Sequence, residues 1–264
     1  KPDYAEAHYN LGVTLKELGK LNQAEASYRQ AIVLKPDFAE AFNNLGITLH
    51  EMRRFDEAEA SYRQAISFKP GYAEAHSNLG NTLQELGIFN EAEASYRQAI
   101  VLKPDFAAAH SNLGEALNEL GNLNQAETSY RQAISLKPDF DGAHFNLGIT
   151  LKEQDRLDEA EASLRQVLAL KPDYAEAHNQ LLDCLFLQDK KSIFFDELDY
   201  LIDQDKASAI IGSLTSRSAL RYGLERPNLF CSKPLNYVLH NDLKILCDFE
   251  KTFVEKAKSI LNKD

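Results

Sequence analysis

Tryptophan is absent from this 264-residue sequence, methionine occurs once, and there are only three cysteines, twelve glycines and eight prolines. So little glycine and proline excludes a collagen-like or low-complexity chain. Cys184, Cys231 and Cys247 lie 47 and 16 residues apart with no C-x-x-C, which excludes a disulfide framework and a zinc ribbon. They read as buried, reduced thiols, and a reducing, cytoplasmic setting fits best. No apolar run approaches the ~18 residues of a membrane helix, so no membrane partner is expected. Also missing are G-x-x-x-x-G-K-[ST], G-x-G-x-x-G and G-x-S-x-G, the phosphate loops and nucleophile elbow that would point to an enzyme. The sequence opens on Lys1 instead of Met, as a piece of a longer protein would, so the lack of a signal peptide carries no information.

What remains is ordinary in bulk, 44% hydrophobic and 26% charged, but uneven in sign. Residues 1–204 hold 19 Lys and Arg against 33 Asp and Glu, and residues 205–264 hold 10 against 7, so a body of −14 precedes a tail of +3. Nucleic-acid binding depends on clustered Lys and Arg that release counterions from phosphate, which makes nucleic acid a poor partner for the body.

The sequence is internally periodic. Lys1-Pro2-Asp3-Tyr4-Ala5-Glu6-Ala7-His8 recurs in modified form from Lys35, Lys69, Lys103, Lys137 and Lys171, every 34 residues. Six copies therefore span 1–34, 35–68, 69–102, 103–136, 137–170 and a degenerate 171–204. Each copy reads as two helices. The Asp3-x-x-Glu6 spacing predicts a side-chain-capped start, and Asn22-x-x-Glu25 predicts a second, repeated at Asp56/Glu59, Asn90/Glu93, Asn124/Glu127 and Asp158/Glu161. Ala7, Leu11, Leu15 and Leu18 predict one apolar helical face, and Gly19 a left-handed stop. Ala24, Tyr28, Ala31 and Ile32 mark the face of the second helix, which Lys35-Pro36 ends. Gly12, in Asn10-Leu11-Gly12, recurs as Gly46, Gly80, Gly114 and Gly148. A mid-helix Gly costs ~1 kcal/mol against Ala, so close approach of the partner helix is expected there. Acidic pairs such as Glu57/Glu59 and Glu91/Glu93 read as solvated faces and caps.

A 34-residue helix pair with Leu-Gly in the first helix, Ala24, Tyr28 and Ala31 in the second, and Pro at the junction resembles the tetratricopeptide repeat (TPR) over residues 1 to about 204. The resemblance implies an all-α solenoid, a right-handed superhelix whose first helices line a concave groove. His8, Phe42, His76, His110, His144 and His178 stand where the family often has an aromatic residue. In the sixth copy Asn-Leu-Gly becomes Gln180-Leu181-Leu182, the decay expected of a terminal repeat. Residues 205–223 are expected to form a capping helix, and 224–264 a connector and terminal helix leading to a downstream domain.

Five of the histidines occupy one slot of successive copies and cannot converge on one ion; a packing role is expected for them. His240-x-Asp242 has the form that opens a 2-His-1-carboxylate iron site, but no His follows it. Neither a metal nor another cofactor nor a catalytic residue is expected in this segment.

The column Asn10, Asn44, Asn78, Asn112 and Asn146 points instead to binding. By resemblance to the superhelix of the O-linked N-acetylglucosamine transferases, these amides would form an inner ladder that grips the backbone of extended polypeptides. An amide can donate to a peptide C=O and accept from a peptide N–H. The alternative is that they tie neighbouring first helices together. Tyr9, Asn43, Ser77, Ser111 and Phe145, just before the ladder, and Glu6, Glu40, Glu74 and Glu176 upstream complete the expected groove. The inward Lys and Arg of the carboxylate clamp found in some TPR co-chaperones are absent, so a neutral or basic peptide segment is the expected partner. Residues 226–257 resemble the linker that joins TPR arrays to prolyl-hydroxylase-like Fe(II)/2-oxoglutarate oxygenase domains in some marine bacterial proteins. That implies a substrate-recruiting arm whose catalytic domain lies beyond residue 264, with a free-standing assembly scaffold as the alternative. Lys1 opens directly on a first helix, which adds end-to-end self-association to the expectations.

Overall fold

The computed structural model describes residues 4–203 together with Arg221 and Tyr222. These form twelve α-helices and, among the described residues, no strand. The chain divides into two compact units, Lys1–Leu170 and Lys171–Asp264.

In the first unit five helix pairs follow one another: α1 (Ala5–Glu17) and α2 (Leu21–Leu34), α3 (Ala39–Glu51) and α4 (Phe55–Phe68), α5 (Ala73–Glu85) and α6 (Phe89–Leu102), α7 (Ala107–Glu119) and α8 (Leu123–Leu136), α9 (Asp141–Glu153) and α10 (Leu157–Leu170). Each first helix packs on the second helix of its own pair and, less extensively, on the second helix of the pair before it. The core is one contact repeated. A Cβ built on Gly12, Gly46, Gly80 or Gly114 would stand 2.6 to 2.7 Å from the ring Cε1 of Tyr28, Tyr62, Tyr96 or Tyr130, so each ring lies directly on bare helix backbone. In the fifth pair Leu164 replaces the tyrosine, and its Cγ would stand 2.9 Å from a Cβ on Gly148.

The apolar face expected from Ala7, Leu11, Leu15 and Leu18 is only partly buried in the first copy. Leu11 is 49% exposed, whereas Leu45, Leu79, Leu113 and Leu147 in the same slot are 4 to 7% exposed. Those four have a preceding helix pair to pack against, and burial of this face needs that neighbour.

From α1 to α9 no side-chain cap hydrogen bond forms at a helix start, and Asp3 itself lies outside the described residues. α1 begins at Ala5 behind Tyr4 and α3 at Ala39 behind Phe38, with no side-chain cap hydrogen bond. α2 begins at Leu21, so Asn22 already lies inside its first turn. Backbone turns do the work instead. The Phe38 N–H donates to the Lys35 carbonyl at 3.1 Å and the Ala39 N–H to the Asp37 carbonyl at 2.9 Å. The lysine ammonium of each turn lies over the following aromatic ring: Lys35 over Phe38 at 4.5 Å, Lys69 over Tyr72 at 4.4 Å, Lys103 over Phe106 at 4.9 Å and Lys137 over Phe140 at 5.3 Å. The histidine slot locks the same turn from the other side: His76, His110 and His144 donate through Nε2 to the carbonyls of Pro70, Pro104 and Pro138 at 2.9 to 3.0 Å. First helices end in a left-handed residue, Gly19, Gly87 and Gly121 at φ 71 to 75°, and Arg53 and Asp155 at φ 60°.

The second-helix glutamates read as caps and solvated faces are ion-paired. Arg29 and Arg54 each bridge Glu25 and Glu57, a closed quartet that ties α2 to α4. Arg131 and Arg156 do the same with Glu127 and Glu159 between α8 and α10. Burial alone would raise the Glu25 carboxyl, but hydrogen bonds from Arg54 and Arg29 outweigh it and hold it below the usual carboxylate range. The same balance, with Arg156 and Arg131, lowers Glu127.

In the second unit α11 (Ala175–Leu187) and α12 (Lys191–Asp203) form a sixth pair with a different core. Leu182 stands in the glycine slot and Leu198 in the tyrosine slot, both buried. Phe186, Phe194, Phe195 and Tyr222 form an aromatic cluster with centroids 5.3 to 6.2 Å apart. His178 donates to the Pro172 carbonyl at 2.9 Å and meets Glu197 at 2.6 Å through Nδ1. Cys184 is fully buried. Cys231, Cys247, His240, Asp242, the linker-like stretch 226–257 and most of the expected capping helix lie outside the described residues.

Candidate binding face

Within each first helix of the first unit, the residues facing away from the core are set by helical periodicity. Asn44 has Glu40 four residues before it, Ile47 three after and Glu51 seven after, which is one face of α3. The same stripe reads Glu6, Asn10, Val13, Glu17 on α1; Glu74, Asn78, Asn81, Glu85 on α5; Ala108, Asn112, Glu115, Glu119 on α7; and Gly142, Asn146, Ile149, Glu153 on α9. Every one of these residues is exposed or half-buried, while the intervening Leu45, Gly46, Thr48 and Leu49 and their counterparts from α5 to α9 are buried.

The expected site residues divide into two groups on this face. Asn10 is exposed, and Asn44, Asn78, Asn112, Asn146, Tyr9 and Phe145 are half-buried. Asn43, Ser77 and Ser111 are only 4 to 5% exposed, closed into the joints between repeats. Three of the ladder amides reach back to the preceding repeat: Asn44 donates to the Tyr9 hydroxyl at 3.0 Å, Asn78 to the side-chain Oδ1 of Asn43 at 3.1 Å, and Asn112 to the side-chain Oδ1 of Asn81 at 2.7 Å. Each such bond uses one of the two amide protons, and the side-chain oxygen adds two lone pairs, one of which on Asn44 is met by the Asn43 amide at 3.3 Å.

Two further columns line the same face, Val13, Ile47, Asn81, Glu115 and Ile149, and Glu17, Glu51, Glu85, Glu119 and Glu153. Counting three and seven residues on from each ladder Asn finds both in the sequence. Their charges are unevenly neutralised. Glu40 is lowered chiefly by the Lys69 ammonium at 2.8 Å, and Lys103 pairs with Glu74 at 3.1 Å. Lys16 lies 3.4 Å from Glu51. Glu17, Glu85, Glu115, Glu119 and Glu153 have no ion pair among the described residues. Burial, reinforced by these carboxylates, pushes the tyrosine hydroxyls upward: Tyr28 to about 12, with Tyr9, Glu17 and Glu51 adding to it, and Tyr130 further, with Glu115, Glu119 and Glu153.

Among the described residues, no group of three or more His, Cys, Asp or Glu side chains is placed to hold a metal ion, and no helix is long and apolar enough to cross a membrane.

The profile of the TPR repeat matches residues 14–53, 54–87, 85–121 and 114–155, and further tetratricopeptide-repeat profiles match 38–69 and 142–174. The chain belongs to the tetratricopeptide-repeat family. TPR repeats generally mediate protein–protein contacts. The comparison with curated proteins finds no match. Among solved structures, PilF of Pseudomonas aeruginosa is similar at 17% identity over 81% of this chain and 97% of that one, with a TM-score of 0.70. PilW, a type IV pilus biogenesis factor, is similar at 20% identity over 80% and 98%, also with a TM-score of 0.70. YrrB, described as a TPR protein with an unusual peptide-binding site, is similar at 22% identity over 66% and 90%, with a TM-score of 0.58. At these identities the likeness is one of fold.

Proposed function

We propose that the first unit binds an extended, neutral or basic segment of a partner protein along the stripe of its first helices, as the recruiting arm of a larger protein in a reducing, cytoplasmic setting. The observation that carries this reading is the ladder itself: four half-buried asparagines and exposed Asn10 recur on one face with hydrogen-bonding capacity left over. Amide groups hold main chain without reading side chains, so sequence preference at the ladder is weak and affinity accumulates along the repeats. The surrounding carboxylates favour Lys- or Arg-bearing segments.

Each amide–backbone bond contributes only ~0.5 to 1.5 kcal/mol net. Replacing Asn44, Asn78 and Asn112 together by Ala should therefore weaken an unstructured lysine/serine peptide by about 2 to 4 kcal/mol in a titration by fluorescence anisotropy. Melting temperature separates the two roles. Unchanged affinity with a loss of stability would make the asparagines inter-repeat struts and end the groove reading.

A further inference from the structure

We infer that the groove selects its client by register, taking branched apolar side chains at its two ends and basic side chains in its middle. This inference rests on the binding-face reading above and adds the chemistry of the occupant.

The variable position of the stripe changes character along the unit. Val13 and Ile47 offer half-buried branched aliphatic surface on α1 and α3, Asn81 is polar on α5, Glu115 is exposed and charged on α7, and Ile149 returns to aliphatic on α9. At the end of the stripe Glu17 on α1 and Glu153 on α9 are as unpaired among the described residues as Glu85 and Glu119 in the middle, so the middle is set apart by the added carboxylate of Glu115 and not by this column. Glu51 on α3 is met by Lys16. Helices α5 and α7 carry no Lys or Arg at all, and Glu85, Glu115 and Glu119 are left without an ion pair among the described residues. Glu115 and Glu119 lie four apart on one helix face, a like-charge spacing that is mutually unfavourable until a cation arrives.

A client that complements this face has a branched apolar residue over Ile47, one or two Lys or Arg over Glu85, Glu115 and Glu119, and a second branched apolar residue over Ile149. Successive first helices touch. At the ~10 Å spacing of packed helices, α3 to α9 is about 30 Å. An extended strand covers that in about nine residues.

The test uses the full chain and two fluorescein-labelled eleven-residue peptides of identical composition. One has isoleucine near both ends and two lysines at the centre, with serine and alanine elsewhere; the other exchanges the isoleucine and lysine positions. Anisotropy titrations at low and high salt should show the central-lysine peptide binding about tenfold more tightly than its permuted partner. That margin should shrink in high salt. Glu85→Gln, Glu115→Gln and Glu119→Gln together, at exposed positions that leave the core untouched, should erase the difference, and Ile47→Ser with Ile149→Ser should weaken the central-lysine peptide alone. Equal binding of the two peptides, lost on Ala replacement of Asn44, Asn78 and Asn112, would overturn the register while leaving the groove reading intact. No binding of either peptide at millimolar concentration would overturn both.

Discussion

The ring of Tyr62 lies so close to Gly46 that a methyl group on that glycine would meet Cε1 at 2.7 Å and Cδ1 at 2.8 Å. Helix α3 gives up helix propensity at this position and gains a flat contact with α4 over a fully enclosed aromatic ring. Gly46→Ala should therefore destabilise, although Ala is the better helix former. The ring is buried on every side and cannot swing away, so overpacking outweighs the propensity gain by about 2 kcal/mol. Urea denaturation of the first unit measures this, and a stability equal to or above that of the parent would show that the pair can slide apart without loss.

Acid should weaken the unit through its two Arg–Glu quartets. Glu25 and Glu127 have folded-state pKa values depressed by their arginines, against a value of ~4.3 in an unfolded chain. A depressed carboxylate contributes stability that is fully present above the unfolded value and is lost as pH falls through the folded one. Melting temperature should thus hold from neutral pH to about pH 5 and fall below it. Glu25→Gln with Glu127→Gln should lower stability at pH 7 by about 1 kcal/mol per site and flatten the acid limb. An acid limb as steep in the double variant as in the parent would assign the pH dependence to other carboxylates.

Much of the fold was legible in the 34-residue period, because a repeat states the same packing rule several times. Gly12 and Tyr28 recur together at a fixed separation, and their contact could be expected from either one. The helix starts were not legible. Asn22 and Glu25 have the spacing of a capping box, but a spacing says nothing about competing partners, and Arg29 and Arg54 claim the glutamate. Arg54 comes from the next repeat, 29 residues away, so its pairing is visible only once the stack exists. Of the expected groove residues, Asn43, Ser77 and Ser111 are closed into the joints between repeats for a related reason. Ser77 and Ser111 precede the ladder in sequence, yet on a helix the adjacent residue points about 100° away, into the joint between repeats. Ile47 and Glu51, three and seven residues after Asn44, share its face.

The quartet is missing from the centre of the array, and there it can be built. Between α6 and α8, Arg97 pairs with Glu93 at 2.7 Å on its own helix, but across the joint it meets only the neutral Gln125 at 2.9 Å. Asn122 occupies the place that Arg54 and Arg156 fill in the closed quartets. Asn122 precedes α8 without capping it, just as Arg54 precedes α4, so an arginine fits the backbone there. Asn122→Arg with Gln125→Glu should recreate the ring. Exposed pairs contribute little singly, about 0.2 to 1 kcal/mol, and Gln125→Glu alone also gains from the helix dipole, since the first turn of α8 has no acidic residue. The coupling between the two substitutions is what identifies the ring. A double-mutant cycle should return about 0.5 to 1 kcal/mol beyond the sum of the single changes, fading at 1 M salt, where the Debye length is ~3 Å. Strict additivity at low salt would mean that each arginine in the natural quartets acts alone, and that the joints between repeats are held by the buried leucine face and the asparagine bonds without help from the outer face.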